Sequence, residues 1–124
     1  MYSQTMLGRK RFYTLPNSSD PDYGRIKSAI QRQGTNHKIQ GSSADITKAA
    51  AVLVHNRFRE KFGSDNAYLW GVIHDEIVTM ARADLAEEAS YILTKSMEDA
   101  YYKFIPRDIC PIKVDALSGN HWCH

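Results

Sequence analysis

Cysteine and proline are both scarce in this 124-residue chain, with two of the first (Cys110 and Cys123) and four of the second. Two cysteines cannot build the multi-bridge framework of a small secreted domain, so the fold must rest on a buried core. The chain is long enough to bury a modest one. No apolar run approaches the roughly 18 residues read as a membrane span, and the first residues lack the basic-then-apolar pattern of a secretion signal. A cytoplasmic setting with no membrane partner is therefore expected. No internal repeat is visible, which excludes solenoids. The 43% hydrophobic and 24% charged content is that of an ordinary globular domain rather than a disordered chain.

A net charge of +2 conceals an asymmetry. Residues 1–63 hold eleven Lys/Arg against four Asp/Glu, a balance of +7, whereas residues 64–124 hold five against ten, a balance of −5. Such a division suits a protein that grips phosphates with one part and metal ions with another. An unevenly solvated surface is the alternative.

Periodicity supplies the elements. The basic segment from Met6 to Leu15 can form a hairpin, and Pro16 to Gly24 is dense in turn formers. Helices are expected over about Asp22 to Gln33 and Ser42 to Phe62. The second carries Ile46, Ala50, Leu53, Val54, Phe58 and Phe62 as one apolar stripe, stopped at Gly63. Asp84 with Glu87 reads as a capping box for a helix through Phe104 that Pro106 closes. Alternation of Ile112, Val114 and Ala116 predicts a final strand. The fold class is α+β, with helices covering a small antiparallel sheet.

Between these helices lies "GVIHDEIV", Gly71 to Val78, flanked by strand-like residues Ala67 to Ile73 and Ile77 to Met80. This reads as a tight hairpin with His74, Asp75 and Glu76 at its tip. Two-residue turns favour Asn-Gly or Asp-Gly, so adjacent carboxylates are a poor choice that a cation would repay. A merely polar turn is the alternative. Arg32, Asn36 and Gln40 are spaced four apart, and a continuous helix would align them on one face. Amides there can donate to the acceptors that all base pairs present in the minor groove, although a solvated polar face explains the same spacing. Arg9, Lys10 and Arg11 suit phosphate contact or simple solubility. Cys110, His121, Cys123 and His124 match no closed zinc site, and packing of Trp122 is the better reading of this segment.

"NHKIQGSSADITKAA" (Asn36 to Ala50), "VIHDEIV" and "IKVDALSGNHW" (Ile112 to Trp122), in that order, resemble the C-terminal end of family A, polymerase I-like DNA polymerases. "TMLGRKR" (Thr5 to Arg11) resembles the stretch where the fingers of those enzymes return to the palm. The Trp122-Cys123-His124 ending is similar to that of some phage members. The resemblance implies a partial polymerase palm over residues 1–124: a basic fingers-return segment and loop over 1–21, then palm helices, hairpin and strand over 22–124.

The same resemblance implies a role for each residue singled out. It makes Asp75 one of two carboxylates that hold a pair of Mg²⁺ ions about 3.5–4 Å apart, Glu76 supportive, and His74 a neighbour of the primer end. It gives Asn36 and Gln40 minor-groove duty, Arg32 contact with template or primer, and Arg9, Lys10 and Arg11 a place near the template. Gly34 and Lys38 stand where the family usually has an apolar residue and a proline, so the local bend is expected to differ. In the family, the other catalytic aspartate, the nucleotide-binding helix and the thumb belong to earlier segments. The chain is thus expected to be inactive alone, a C-terminal fragment or split subunit of a DNA-directed DNA polymerase. An upstream chain, primer-template DNA and dNTP would be its partners. A catalytically inactive DNA-binding remnant is the alternative reading, and an unrelated metal-dependent enzyme is a more distant one.

Overall fold

The computed structural model describes residues 1–122. Its elements run β1 (Tyr2–Gln4), β2 (Lys10–Phe12), α1 (Tyr23–Asn66), β3 (Ala67–Ile73), β4 (Glu76–Ala81), a 3-10 turn (Ala83–Leu85) and α2 (Ala86–Phe104). This is an α+β chain with two antiparallel sheets, β1–β2 and β3–β4. It forms two compact units, Met1–Asp45 and Ile46 onward.

In the first unit a hairpin forms, but only its second strand falls in the expected Met6 to Leu15 segment: its first strand precedes Met6, pairing Tyr2 with Phe12 and Gln4 with Lys10. What it buries against α1 is polar. Ser3 Oγ lies 2.8 Å from His37 Nδ1, Thr5 Oγ1 donates to Asp45 Oδ2 at 2.6 Å, and the Met6 N–H donates to Ser42 Oγ at 2.8 Å. Ser3, Thr5, His37 and Asp45 are all buried, and hydrogen bonding offsets the cost of their desolvation. Gly41 permits the close approach, because a Cβ there would stand 2.8 Å from Thr5 Cγ2 and 3.0 Å from His37 Cδ2.

Two expected helices are one. The segment from Gly34 to Gly41 is helical, and α1 departs from helical backbone only at Gly63 (φ 75°). Lys38 keeps the N–H that a proline would lack, and a glycine inside a helix costs only about 1 kcal/mol, so nothing at 34 or 38 forces a break. At Gly63 the left-handed φ suits a residue without a side chain, and the expected stop falls there.

The second unit holds the apolar core. Val54, Phe58 and Phe62 of α1 cluster with Ala67 of β3 and Ala89 of α2, backed by Leu69, Leu85, Ile92 and Leu93. A second cluster joins Ala50 and Ala51 to Ile77 and Ala100. The Phe58 and Phe62 rings meet edge-on at 5.5 Å, an arrangement worth about 0.5–1.5 kcal/mol beyond their burial.

Two further expectations are corrected in this unit. Asp84 does not cap α2: the 3-10 turn moves the helix start to Ala86, Leu85 takes the N-cap position without a side-chain bond, and Asp84 pairs with Arg82 at 3.2 Å. Glu87 and Glu88 occupy the first turn instead, where negative charge favours the helix dipole. Residues 112–116 form no strand. Ile112 and Val114 are half-buried between exposed neighbours, but the Ile112 N–H donates to Tyr102 Oη at 2.9 Å rather than to a strand. Alternation reported burial, not pairing. Among the described residues no helix is long and apolar enough to cross a membrane.

Candidate functional site

The β3–β4 ladder pairs Val72 with Ile77 and Ile73 with Glu76, leaving His74 and Asp75 as a two-residue turn. Glu76, expected at the tip, is instead the first residue of β4 and is half-buried. His74 has φ 56°, and no other non-glycine residue among those described has a positive φ. A positive φ at the first central residue alone is the pattern of a type II′ turn, a position that favours glycine. Holding a side chain there costs about 1–3 kcal/mol, and such strain clusters at functional sites.

The strain presents a carboxylate. Asp75 is exposed, and among the described residues no hydrogen bond or ion pair engages it. Its neighbour is held: Glu76 Oε1 accepts a hydrogen bond from Trp122 Nε1 at 2.8 Å. On β3 the ladder shifts register between Leu69 and Gly71, which makes Trp70 an extra residue. A bulge of this kind sharpens strand twist and re-aims what lies beyond it.

A hard oxygen ligand such as Asp75 suits Mg²⁺, which takes one or two carboxylates and fills its remaining positions with water and phosphate oxygens. Among the described residues no three His, Cys, Asp or Glu side chains come together as a metal site. Asp75 could therefore be one ligand of a shared site but not a whole site. Cys123 and His124, considered as zinc ligands from the sequence, lie outside the described residues.

In the first unit, Arg11, Gln33, Asn36, His37, Gln40 and Gly41 line a cleft of about 390 Å³. Continuity of α1 makes this possible by stacking residues 33, 36, 37, 40 and 41 on one face. Asn36 and Gln40 of one sequence constellation thus share a cleft with Arg11 of another, whereas Arg32 is exposed outside its lining.

The basic run divides. Arg9 is tied within the protein: its Nε donates to Asp45 Oδ1 at 2.9 Å and its Nη2 to the Gly41 carbonyl at 3.3 Å. Its charge ties the hairpin to α1. Lys10 sits over the Tyr2 ring at 4.7 Å, while Arg11 lies over Tyr13 and donates to Gln33 Oε1 at 3.4 Å. His37, which sequence reasoning passed over, lines the cleft between Asn36 and Gln40. The spacing of His37, Gly41 and Asp45 at four residues, opposite alternating Ser3 and Thr5, was the signal that could have found it.

A model of DNA polymerase family A matches residues 1–124. The chain is 33% identical over 122 residues to DNA polymerase I of Chloroflexus aurantiacus, covering 98% of this chain and 12% of that protein. It is 31% identical over 121 residues to the thermostable DNA polymerase I of Thermus filiformis, covering 98% of this chain and 13% of that one. Its fold is similar, with a TM-score of 0.67 and 29% identity, to the POL domain of Pol1 from M. smegmatis in complex with DNA primer-template and dNTP. That likeness covers 81% of this chain and 17% of the solved one. The chain thus spans only about an eighth of the curated polymerases it matches. With the family model matching along its whole length, the chain belongs to DNA polymerase family A.

Proposed function

We propose that the chain is the C-terminal palm portion of a DNA-directed DNA polymerase, a fragment or split subunit completed by an upstream polymerase chain. It supplies one metal-binding aspartate and the primer-template minor-groove contacts. The observation that carries this reading is Asp75, an exposed and unengaged carboxylate on a strained turn in a chain matched throughout by family A.

Asp75 would hold one side of a Mg²⁺ pair whose second carboxylate comes from the upstream chain, and His74 beside it would face the primer end. When bound, the metal pair lowers the pKa of the attacking 3′-hydroxyl and steadies the leaving pyrophosphate of the dNTP. Glu76, fixed by Trp122, keeps the turn in place. Asn36 and Gln40 donate amide N–H groups to minor-groove acceptors, which are shared by all base pairs and so test geometry without demanding sequence. Arg32 on α1, with Lys10 and Arg11 on β2, would meet the phosphates of template and primer, and Arg9 holds the hairpin in position.

The test is primer extension with and without an upstream chain that carries the other aspartate. Asp75→Asn keeps the shape and removes the charge, so extension should fall by about 10²–10³ or more while duplex affinity survives. Glu76→Gln should cost much less, since the amide oxygen still accepts from Trp122. Near-normal extension by the Asp75→Asn protein would reduce the hairpin to a turn. Because no three His, Cys, Asp or Glu side chains come together as a metal site among the described residues, an inactive DNA-binding remnant is the second reading. Absence of extension with any upstream partner, alongside intact duplex binding, would favour it.

A further inference from the structure

His37 is not explained by the proposed polymerase function. The residue is 8% exposed, and its two ring nitrogens differ in kind. Nδ1 lies 2.8 Å from Ser3 Oγ, which in turn lies 2.9 Å from Tyr13 Oη. Nε2 is buried and has no partner among the described residues. A buried nitrogen left unpaired is costly, and native structures seldom keep one without a use.

We propose that His37 is a nucleic-acid contact whose Nε2–H donates to a phosphodiester oxygen drawn into the cleft beside Arg11. Three observations converge on it. The Tyr13 hydroxyl can donate to Ser3 Oγ and the Ser3 hydroxyl to Nδ1, which leaves the ring proton on Nε2 as a donor. His37 lines the same cleft as Arg11, Gln33, Asn36 and Gln40, so a ring N–H, a guanidinium and three amides surround one space. An anionic oxygen suits that set better than a neutral base acceptor, because hydrogen bonds between charged and polar partners are the stronger ones. Gln33, Asn36 and Gln40 are exposed, so their side chains are free to turn toward a bound strand. Ser3 and Tyr13 are positioning residues in this arrangement, since they touch the imidazole and not the strand.

The inference rests on the DNA-binding part of the proposed function, and the two can fail separately. The measurement is the affinity of the full chain for a primer-template duplex at low salt. His37→Asn places an amide near Nδ1, keeping the Ser3 bond and losing the donor in the cleft. His37→Gln does the reverse. The Asn variant should bind about tenfold more weakly and the Gln variant nearly as well as the original, a loss typical of one hydrogen bond to a charged group. A merely structural histidine would give the opposite order, following its bond to Ser3, and would overturn the proposal. Equal binding by all three proteins would overturn it too.

A second arm leaves the protein unaltered. The ¹⁵N signal of His37 Nε2 should shift when duplex is added, and that shift should vanish for a duplex with a neutral methylphosphonate at one backbone position. If no position abolishes it, or if none appears, no phosphate is bound there. Asn36→Ala with Gln40→Ala separates the two readings. Weaker duplex binding by that double variant, with His37 indifferent, removes only the role of His37. No duplex binding by the unaltered chain removes the DNA-binding reading as well.

Discussion

His74 holds a conformation that chemistry would assign to glycine, and the reason lies next to it. The turn at His74-Asp75 lifts a carboxylate clear of the sheet while Glu76, one residue on, is drawn back into β4 and bonded to Trp122. Adjacent like charges thereby stand in different surroundings. If the positive φ of 56° is strain kept for this purpose, relieving it should stabilise the protein and harm its use. Glycine takes that φ freely but loses about 0.5–1 kcal/mol in chain entropy, against strain of about 1–3 kcal/mol, so His74→Gly should gain about 1 kcal/mol. Thermal melting should show a higher midpoint, and extension by the reconstituted polymerase should slow. A lower midpoint would mean that the turn imposes no strain.

Between α1 and α2 a charged contact joins the apolar ones. Arg57 Nη2 stands 2.8 Å from Asp99 Oδ2, and Lys95 lies 3.5 Å from the other oxygen. Arg57 also donates to Ser96 Oγ at 3.2 Å, which satisfies a fully buried hydroxyl. Partial burial raises the pKa of Asp99, but the hydrogen bond and charge of Arg57 together with Lys95 outweigh it and hold the carboxyl below its ordinary 3.8. Because the folded-state value is the lower one, this pairing stabilises the fold fully above pH 3.8 and is lost as pH falls through the folded value. Asp99→Asn should therefore be less stable at neutral pH yet lose less on acidification, as a denaturant midpoint followed down the acid limb would show. Parallel acid limbs for the two proteins would remove Asp99 from the account.

That contact also marks what a sequence can and cannot convey. The β3–β4 hairpin, the Leu53 to Phe62 stripe and the end of α2 before Pro106 follow local rules of period and turn chemistry, and they were legible. Continuity of α1 was not, because Gly34, Thr35, Asn36, His37 and Gly41 are weak helix formers and leave the decision to packing against β1. The cap at Asp84 was displaced by a 3-10 turn that pairs Asp84 with Arg82. Alternation at 112–116 signalled burial without a strand edge to join. In the candidate site, Asp75 announced itself through three polar residues at a hairpin tip. The Tyr13–Ser3–His37 relay joins residues up to 34 positions apart, and no local pattern encodes such a meeting.

At the scale of the whole molecule, one unit buries polar groups and the other an apolar core, and the apolar supply is not exhausted by that core. On β3 and β4, Tyr68, its cross-strand partner Met80 and the bulged Trp70 remain exposed, with Trp70 at 58%. Monomeric proteins seldom leave contiguous apolar patches larger than roughly 300–600 Å² without a partner for them. A chain that spans about an eighth of its polymerase relatives would leave such a face bare, and the split-subunit reading assigns its cover to the upstream polymerase chain. The isolated chain should then bind dyes that report exposed apolar surface and self-associate in sedimentation. Adding the upstream chain should abolish both behaviours. Trp70→Lys should reduce dye binding while leaving stability within about 0.5 kcal/mol of the original, as for other surface changes, and it should weaken assembly with the upstream chain. A well-behaved monomer that binds no such dye would count against the split palm, and unchanged assembly by the Trp70→Lys protein would place the joining surface elsewhere.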